Sequence, residues 1–291
     1  MTQPIVPPKS IAIAAHPEIP NALNVAQEVG SFFDLHGLTT RVGSIFDEGF
    51  RSAVIAQQFD LLIALGGDGT MLRAGHLCAP VDVPVLGINV GHFGFLVEVK
   101  REEWRQVLPK LLTGDFRYEE RMMLSAHCVR DGVQRKTFDV INDVVVARGR
   151  YVRPIEVEAL LNGSPIISYI ADGLIAATAT GSTAYALAAG GPILPPELRN
   201  MLLMPVAPHL SVDRAVVLSE GASVFIRVKT QHDAVVSVDG QEPVPLKSGD
   251  GVQIKAHEKS LIMVRFEDPG YFYRNLTPHM EQNPIFTKSA S

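Results

Sequence analysis

Residues 66–70 read Gly-Gly-Asp-Gly-Thr and stand between an apolar run at 60–65 and a segment of helical character at 70–79. Glycines let a backbone approach a ligand closely and reach conformations closed to other residues. The free N–H groups of Gly66, Gly67, Gly69 and Thr70, with the N-terminus of the following helix, make a cradle for phosphate. A carboxylate at Asp68 is repelled by phosphates unless it binds a metal or takes up a proton, and both roles suit phosphoryl transfer. Without that chemistry, the same residues make a plain strand-to-helix turn with Asp68 as a cap. The stretch lacks the Gly-Lys-Ser/Thr of a P-loop, the G-x-G-x-x-G fingerprint and the protein-kinase signatures.

Residues 87–96, Gly-Ile-Asn-Val-Gly-His-Phe-Gly-Phe-Leu, make a second tight glycine loop after the next apolar run. A longer block begins at Asp172 and continues through Thr180, Gly181, Ser182, Thr183, Ala184 and Tyr185 to Ile193. Its small residues let a planar ring approach a backbone turn whose N–H and hydroxyl groups can read the ring's edge. Tyr185 offers an aromatic face for stacking, and Asp172 a carboxylate for a ribose hydroxyl or an amide. The competing reading is a Ser/Thr helix cap with Tyr185 in the core. Asn142-Asp143 opens an apolar strand and reads either as a polar pair for a ligand or as a turn. Arg153 can grip a phosphate bidentately or be a surface charge. His209, after Pro208, and Gln241, in the turn Asp239-Gly240-Gln241, also have structural readings.

These residues need elements to hold them. In the first third, apolar runs at 10–15, 38–43, 60–65 and 84–89 alternate with helical patterns at 21–36, 50–58, 70–79 and 102–112, and Gly37 sits where a C-cap would. That alternation predicts a Rossmann-like parallel sheet with helices on its faces, an α/β fold. From 117 to 266 the segments are short and β-branched. The dipeptides Asp131-Gly132, Asn162-Gly163 and Asp239-Gly240 mark hairpins, so an antiparallel β-rich domain is expected. The expected organisation is an α/β domain over 1–114, a β-rich domain over 115–267, and a tail, 268–291, packing back on the first domain. Disorder is expected only near the ends, over 1–8 and 284–291.

Hydrophobic residues make up 46% of the 291 and the net charge is -5, without a block of like charge. That leaves no electrostatic footprint for nucleic acid or an anionic membrane. Two distant cysteines, Cys78 and Cys128, exclude a disulfide framework and a cysteine-rich zinc site, and read as buried small hydrophobes in a reducing compartment. No signal peptide and no membrane span is visible, so a cytoplasmic location is expected.

The Gly-Gly-Asp-Gly-Thr turn resembles the nucleotide-phosphate turn of NAD kinases, of diacylglycerol and sphingosine kinases and, more loosely, of phosphofructokinases. The 87–96 loop, the Asn142-Asp143 pair and the long 172–193 block are similar to NAD kinase signatures and choose among these families. The resemblance runs from about 61 to 241. It departs at Asp143, where glutamate is usual, at Ala179 and Ile170, and in the tail.

The resemblance implies phosphoryl transfer from ATP or polyphosphate to the 2′-hydroxyl of the adenosine ribose of NAD. Mg²⁺ would be carried by the donor phosphates, with no protein metal ligand assigned. It implies Asp68 as the base, Gly66, Gly67, Gly69 and Thr70 on the donor phosphates, and NAD in the cleft between the domains. The NAD-binding set is Asp68, Gly69, Arg73, Asn142, Asp143, Arg153, Asp172, Thr180, Ser182, Thr183, Ala184, Tyr185, Ala186, Leu187, Ala188, Ala207, His209 and Gln241. It also implies a homodimer or homotetramer in which a neighbouring subunit completes the NAD site. The rivals are a silent nucleotide sensor and a diacylglycerol-type lipid kinase; in the latter the turn usually continues with Asn-Glu rather than Met71-Leu72-Arg73-Ala74.

Overall fold

The computed structural model describes residues 5–91, 94–209 and 213–277. The chain forms two compact units: one runs through Glu120 and resumes at Leu261, and the other is Arg121–Ser260. The divisions fall inside two long strands, Arg117–Arg130 and Gly251–Arg265, a few residues from each of the boundaries expected at 114 and 267. The ends expected to be disordered, residues 1–4 of the first stretch and all of 284–291, lie outside the described residues, as does the tail from 278.

In the first unit, β1 (Ser10–Ala15), β2 (Thr39–Gly43), β3 (Leu61–Gly66) and β4 (Val85–Asn89) form a parallel sheet in the order β4-β3-β1-β2. The short β5 (Val99–Lys100) pairs with β4, as does Met263 near the end of the last long strand. β1, β3 and β4 are almost wholly apolar because helices cover both faces. Ile11, Ile13, Ile63, Leu65 and Ile88 meet α1 (Ala22–Leu35), whose Val25, Val29 and Phe33 recur at helical spacing. Burying each such side chain stabilises by roughly 1.5–3 kcal/mol.

After α2 (Glu48–Ile55), capped by Asp47 through the Phe50 N–H at 2.7 Å, the other face is covered by α3 (Asp68–Cys78). There the Met71 side chain packs over Gly87, and a Cβ at 87 would force it to shift. One expectation is corrected. Residues 102–112 are not a single helix but α4 (Trp104–Val107) and α5 (Pro109–Thr113), because Pro109 has no N–H to continue the first and instead starts the second. Cys78 and Cys128 are buried free thiols, pushed up by burial.

The second unit is built from antiparallel strands. β6 (Arg117–Arg130) and β7 (Val133–Val140) are joined at Asp131-Gly132, both with positive φ. β8 (Asp143–Arg148) leads to β9 (Ile155–Leu161) and β10 (Ser164–Ala171), whose connection Asn162-Gly163 is a second turn of this type, as a right-twisted hairpin requires. β11 (Gly173–Thr178), a 3₁₀ turn (Thr180–Thr183) and α6 (Tyr185–Ala188) precede β12 (Asn200–Val206) and β13 (Val216–Ser219). The remaining strands are β14 (Ser223–Val228), β15 (Ala234–Val238), β16 (Val244–Leu246) and β17 (Gly251–Arg265).

One sheet has the order β13-β12-β11-β8-β15-β16, and β10-β9-β14-β17 run side by side in another. Val144, Val146, Leu174, Ala176 and Val236 of the first share a core with Val157, Ala159, Val224, Ile226 and Ile254 of the second. The opposite face of the six-stranded sheet is also apolar: Val145, Ile175, Ala177 and Leu202 pack against Ala179, Ala186 and Leu194. The segment after β11 therefore folds back over its own sheet.

Candidate active site

In the first unit, the strand order reverses direction between β1 and β3, and the carboxyl ends of strands at such a point flank a ligand crevice. His16 follows β1 and Gly66 ends β3, with the His16 N–H donating to the Leu65 carbonyl at 3.2 Å. Gly66 is set by packing: a Cβ there would collide with the buried Thr70 side chain. Gly67 is the N-cap of α3, and Gly69, in its first turn, has open space where a Cβ would stand. Arg73, one turn further on, is exposed, its guanidinium 5.2 Å from the centre of the Phe46 ring, which also meets His16 edge-on at 5.7 Å.

Asp68 begins α3 and is anchored by the second glycine loop. One carboxylate oxygen accepts the Phe95 N–H at 2.9 Å and the other the Leu96 N–H at 3.0 Å. Gly94 passes so close that a Cβ would collide with the carboxylate. Upstream, the Asn89 side chain accepts the Gly91 N–H at 2.9 Å and shapes the loop entry, while His92 and Phe93 lie outside the described residues. The two glycine loops are thus one structure around one carboxylate.

In the second unit, three strand ends converge: the start of β8 and the ends of β11 and β15, neighbours through Asp143↔Ala177 and Val144↔Val238. Asp239 places its carboxylate on the N–H groups of Ile141 (2.8 Å), Asn142 (2.7 Å) and Asp143 (2.9 Å). The Thr178 hydroxyl donates to the Ile141 carbonyl at 2.6 Å and accepts the Gly181 N–H at 2.9 Å. Gly181 has to be glycine, because a Cβ would collide with the Asn142 backbone carbonyl.

Asp143 is buried. Burial, and then the like charge of Asp239, push its carboxyl up to about 7, against the pull of the Tyr185 backbone N–H. Tyr185 itself is exposed and offers its ring outward rather than to the core. The hydroxyls of this block are largely engaged: Ser182 donates to the Ala179 carbonyl at 2.7 Å and accepts the Leu194 N–H at 2.9 Å, and Thr183 donates to the Thr180 carbonyl at 3.1 Å. Ala186 is a buried packing residue, Ala184 and Leu187 are half-buried, and Ala188 is exposed. Gln241 is exposed in the turn after β15, and its carbonyl accepts from Ser237.

The remaining expected residues stand elsewhere. Asp172 precedes β11 while Thr180 follows it; a six-residue strand separates them by about 17 Å at the usual rise. Asp172 pairs with Arg148 at 3.2 Å, and beside it, after β12, come Ala207 and His209, the latter donating its N–H to Ile170 at 2.7 Å. Arg153 is exposed in the loop after β8. One copy of the unit therefore gathers Asn142, Asp143 and 180–185 at one end of the sheet and Asp172, Ala207 and His209 at the other.

Sequence reasoning missed two participants. In the sequence Asp239 is only a turn residue, because the backbone it clamps lies about 100 positions away. Arg121, buried and 3.3 Å from the Thr180 hydroxyl, gives no local signal, since β6 supplies it from 59 residues away.

Comparisons with known proteins agree on one family. The ATP-NAD kinase N-terminal domain matches residues 23–116 and the ATP-NAD kinase C-terminal domain residues 141–266. An NAD kinase of Dehalococcoides mccartyi is 36% identical over 276 residues, covering 94% of this chain and 97% of its own. An NAD kinase of Citrifermentans bemidjiense is 40% identical, covering 89% and 95%, and one of Heliobacterium modesticaldum is 42% identical, covering 78% and 80%. Among solved structures, yeast NADH kinase complexed with NADH superposes with a TM-score of 0.82 at 23% identity, covering 98% of this chain and 89% of that one. An NAD kinase from Archaeoglobus fulgidus in complex with ATP gives 0.73 at 23%, covering 94% and 98%. The structural likeness shows the shared fold.

Proposed function

This chain belongs to the NAD kinase family, and from that membership we infer that it transfers the terminal phosphoryl group of ATP to the adenosine ribose 2′-hydroxyl of NAD, giving NADP. The observation that carries the reading is the anchored Asp68 at the carboxyl end of β3, in a turn open to phosphate on the Gly69 side. The rivals, a lipid kinase and a silent sensor, are not favoured, since both halves of the chain match NAD kinase domains.

In this reading the N–H groups of the 66–70 turn hold the donor phosphates. Asn142 and Asp143 bind the adenosine ribose, and the 180–185 block takes the adenine against Tyr185. Asp68 orients the accepting hydroxyl and takes its proton late, as a loose transition state allows. A carboxylate oxygen accepts two hydrogen bonds, so anchoring by Phe95 and Leu96 is compatible with that role. It also fixes the direction of approach. Among the described residues no group of three or more acidic, histidine or cysteine side chains forms a metal site. A Mg²⁺ brought by the donor would find in the turn the single carboxylate of Asp68 and would be held mainly by the donor itself. When bound, the ion supplies charge neutralisation on the transferring group.

The separation of Asp172 and His209 from Asn142 and Thr180 supports a homodimer or homotetramer in which a second copy supplies the Asp172 end. Buried free thiols support a reducing, cytoplasmic location, and no described helix is long and apolar enough to cross a membrane.

The test is NADP formation from NAD and Mg²⁺ with ATP or polyphosphate, read by an NADP-specific dehydrogenase. Asp68→Asn is expected to lose roughly 10²–10⁴-fold in rate. No product from folded protein that binds NAD, with either donor, sinks the kinase reading; a near-normal rate in the variant removes Asp68 as the base.

A further inference from the structure

Arg265 stands near the end of the described chain, yet its side chain reaches the loop that holds Asp68. It is almost fully buried. Its Nη1 donates to the Leu96 carbonyl at 3.0 Å, and its Nε donates to the Glu119 carboxylate at 3.1 Å. Leu96 is the residue whose N–H holds one oxygen of Asp68 at 3.0 Å. The loop is tied a second time by Glu98, whose carboxylate accepts the Glu267 N–H at 2.7 Å and lies 3.9 Å from the guanidinium. Glu119 is itself steadied by Arg117, which donates to it at 3.2 Å.

Two physical points give this arrangement a direction. A buried ion pair often adds little to stability over a well-packed apolar substitute, and here its hydrogen bonds fix the Leu96 carbonyl relative to Glu119. The loop leaves no slack at Asp68, because Gly94 lies against the carboxylate. A shift of Leu96 therefore bears directly on the Asp68 oxygens, with Gly94 packed close on the same carboxylate.

We propose that Arg265 is a positioning residue for the phosphoryl-transfer reaction, fixing the Asp68 carboxylate through Leu96 while Glu119 fixes Arg265. The proposal rests on the reading of Asp68 given above. The planar guanidinium serves Leu96 and Glu119 at once in a set orientation; a lysine ammonium is a single point and cannot hold both at these distances.

The experiment is a double-mutant cycle in kcat for NADP formation, with Arg265→Lys, Asp68→Asn and the double variant, each checked for folding by circular dichroism and thermal unfolding. Arg265→Lys is expected to lower kcat about 10–100-fold with KM for NAD and ATP within about 3-fold, since misplacement by an ångström costs that much. In the Asp68→Asn background the same change is expected to cost less than about 2-fold, because coupled residues are non-additive. Equal losses in both backgrounds, or an unchanged kcat, would overturn the proposal while leaving Asp68 in place. A normal rate in Asp68→Asn alone overturns the reading of Asp68, and this proposal with it. Should Arg265→Lys fail to fold, Glu119→Gln, which loosens the same guanidinium, carries the same comparison with an expected loss of about 3–10-fold.

Discussion

The carboxylate of Asp239 binds the backbone N–H of Asp143 at 2.9 Å, so the two acids are held side by side where β8 begins and β15 ends. Asp239 gains the N–H groups of residues 141–143, whereas Asp143 is buried and meets the charge of its neighbour. One acid is a backbone clamp; the other, in the proposed reading, is the one that meets the ribose.

That asymmetry predicts a pH dependence of stability. Asp143 rises from 3.8 to about 7 on folding, so the folded state holds a proton that the unfolded chain has released between those values. The contribution of Asp143 to stability is then greatest below about 4, falls as pH rises towards 7, and is flat above it. Asp143→Asn removes the costly charge. Its stabilisation of the ligand-free protein is expected to grow by about 1–3 kcal/mol between pH 5 and pH 8. Thermal unfolding at the two pH values checks this; a stabilisation independent of pH means that Asp143 is ionised in the fold at both.

Gly66 and Gly69 separate fold from ligand within one turn. A residue with a Cβ at 66 collides with Thr70, but at 69 it meets nothing. Gly69→Ala is therefore expected to leave stability unchanged or raise it by up to about 1 kcal/mol, since alanine is the better helix former. It would also place a methyl where phosphates approach, raising KM for ATP roughly 10-fold, a cost of about 1.4 kcal/mol. Unchanged KM would move the donor phosphates away from this turn.

Gly181 carries the opposite expectation. Its Cβ would strike the Asn142 carbonyl, so Gly181→Ala forces apart the two segments proposed above to hold the adenosine. The cost is about 1–3 kcal/mol in stability, with loss of NAD binding, and calorimetric titration with NAD checks it. Normal NAD affinity in this variant would show that the corner does not bind the nucleotide.

Much of the first unit was legible because its strands are apolar end to end and its helices repeat at 3.6 residues; Gly37 marks the end of α1 with φ +81°. Pro109 was equally legible and was passed over because apolar spacing continues across it. The Asp239 clamp was not legible, since it joins residues about 100 apart and depends on β15 lying next to β8. The separation of Asp172 from Thr180 follows from the apolar run between them once that run is extended strand. As a resemblance the two ends belong to one signature; as geometry they belong to two ends of a sheet.

Ser182 shows how a motif residue can serve the fold. Its buried hydroxyl links the Ala179 carbonyl to the Leu194 N–H and so closes the segment that covers the second face of the six-stranded sheet. Ser182→Ala leaves the Leu194 N–H without its partner in a dry environment, at a cost of about 1–3 kcal/mol. For a chain of this size the melting temperature should fall by roughly 2–4 °C per kcal/mol. With its one donor spent on the Ala179 carbonyl the hydroxyl cannot donate to an adenine ring nitrogen, so kcat at saturating NAD should stay within about 2-fold of the parent. Paired measurement of melting temperature and kcat decides the matter. A large fall in kcat with an unchanged melting temperature would return Ser182 to direct contact with the nucleotide.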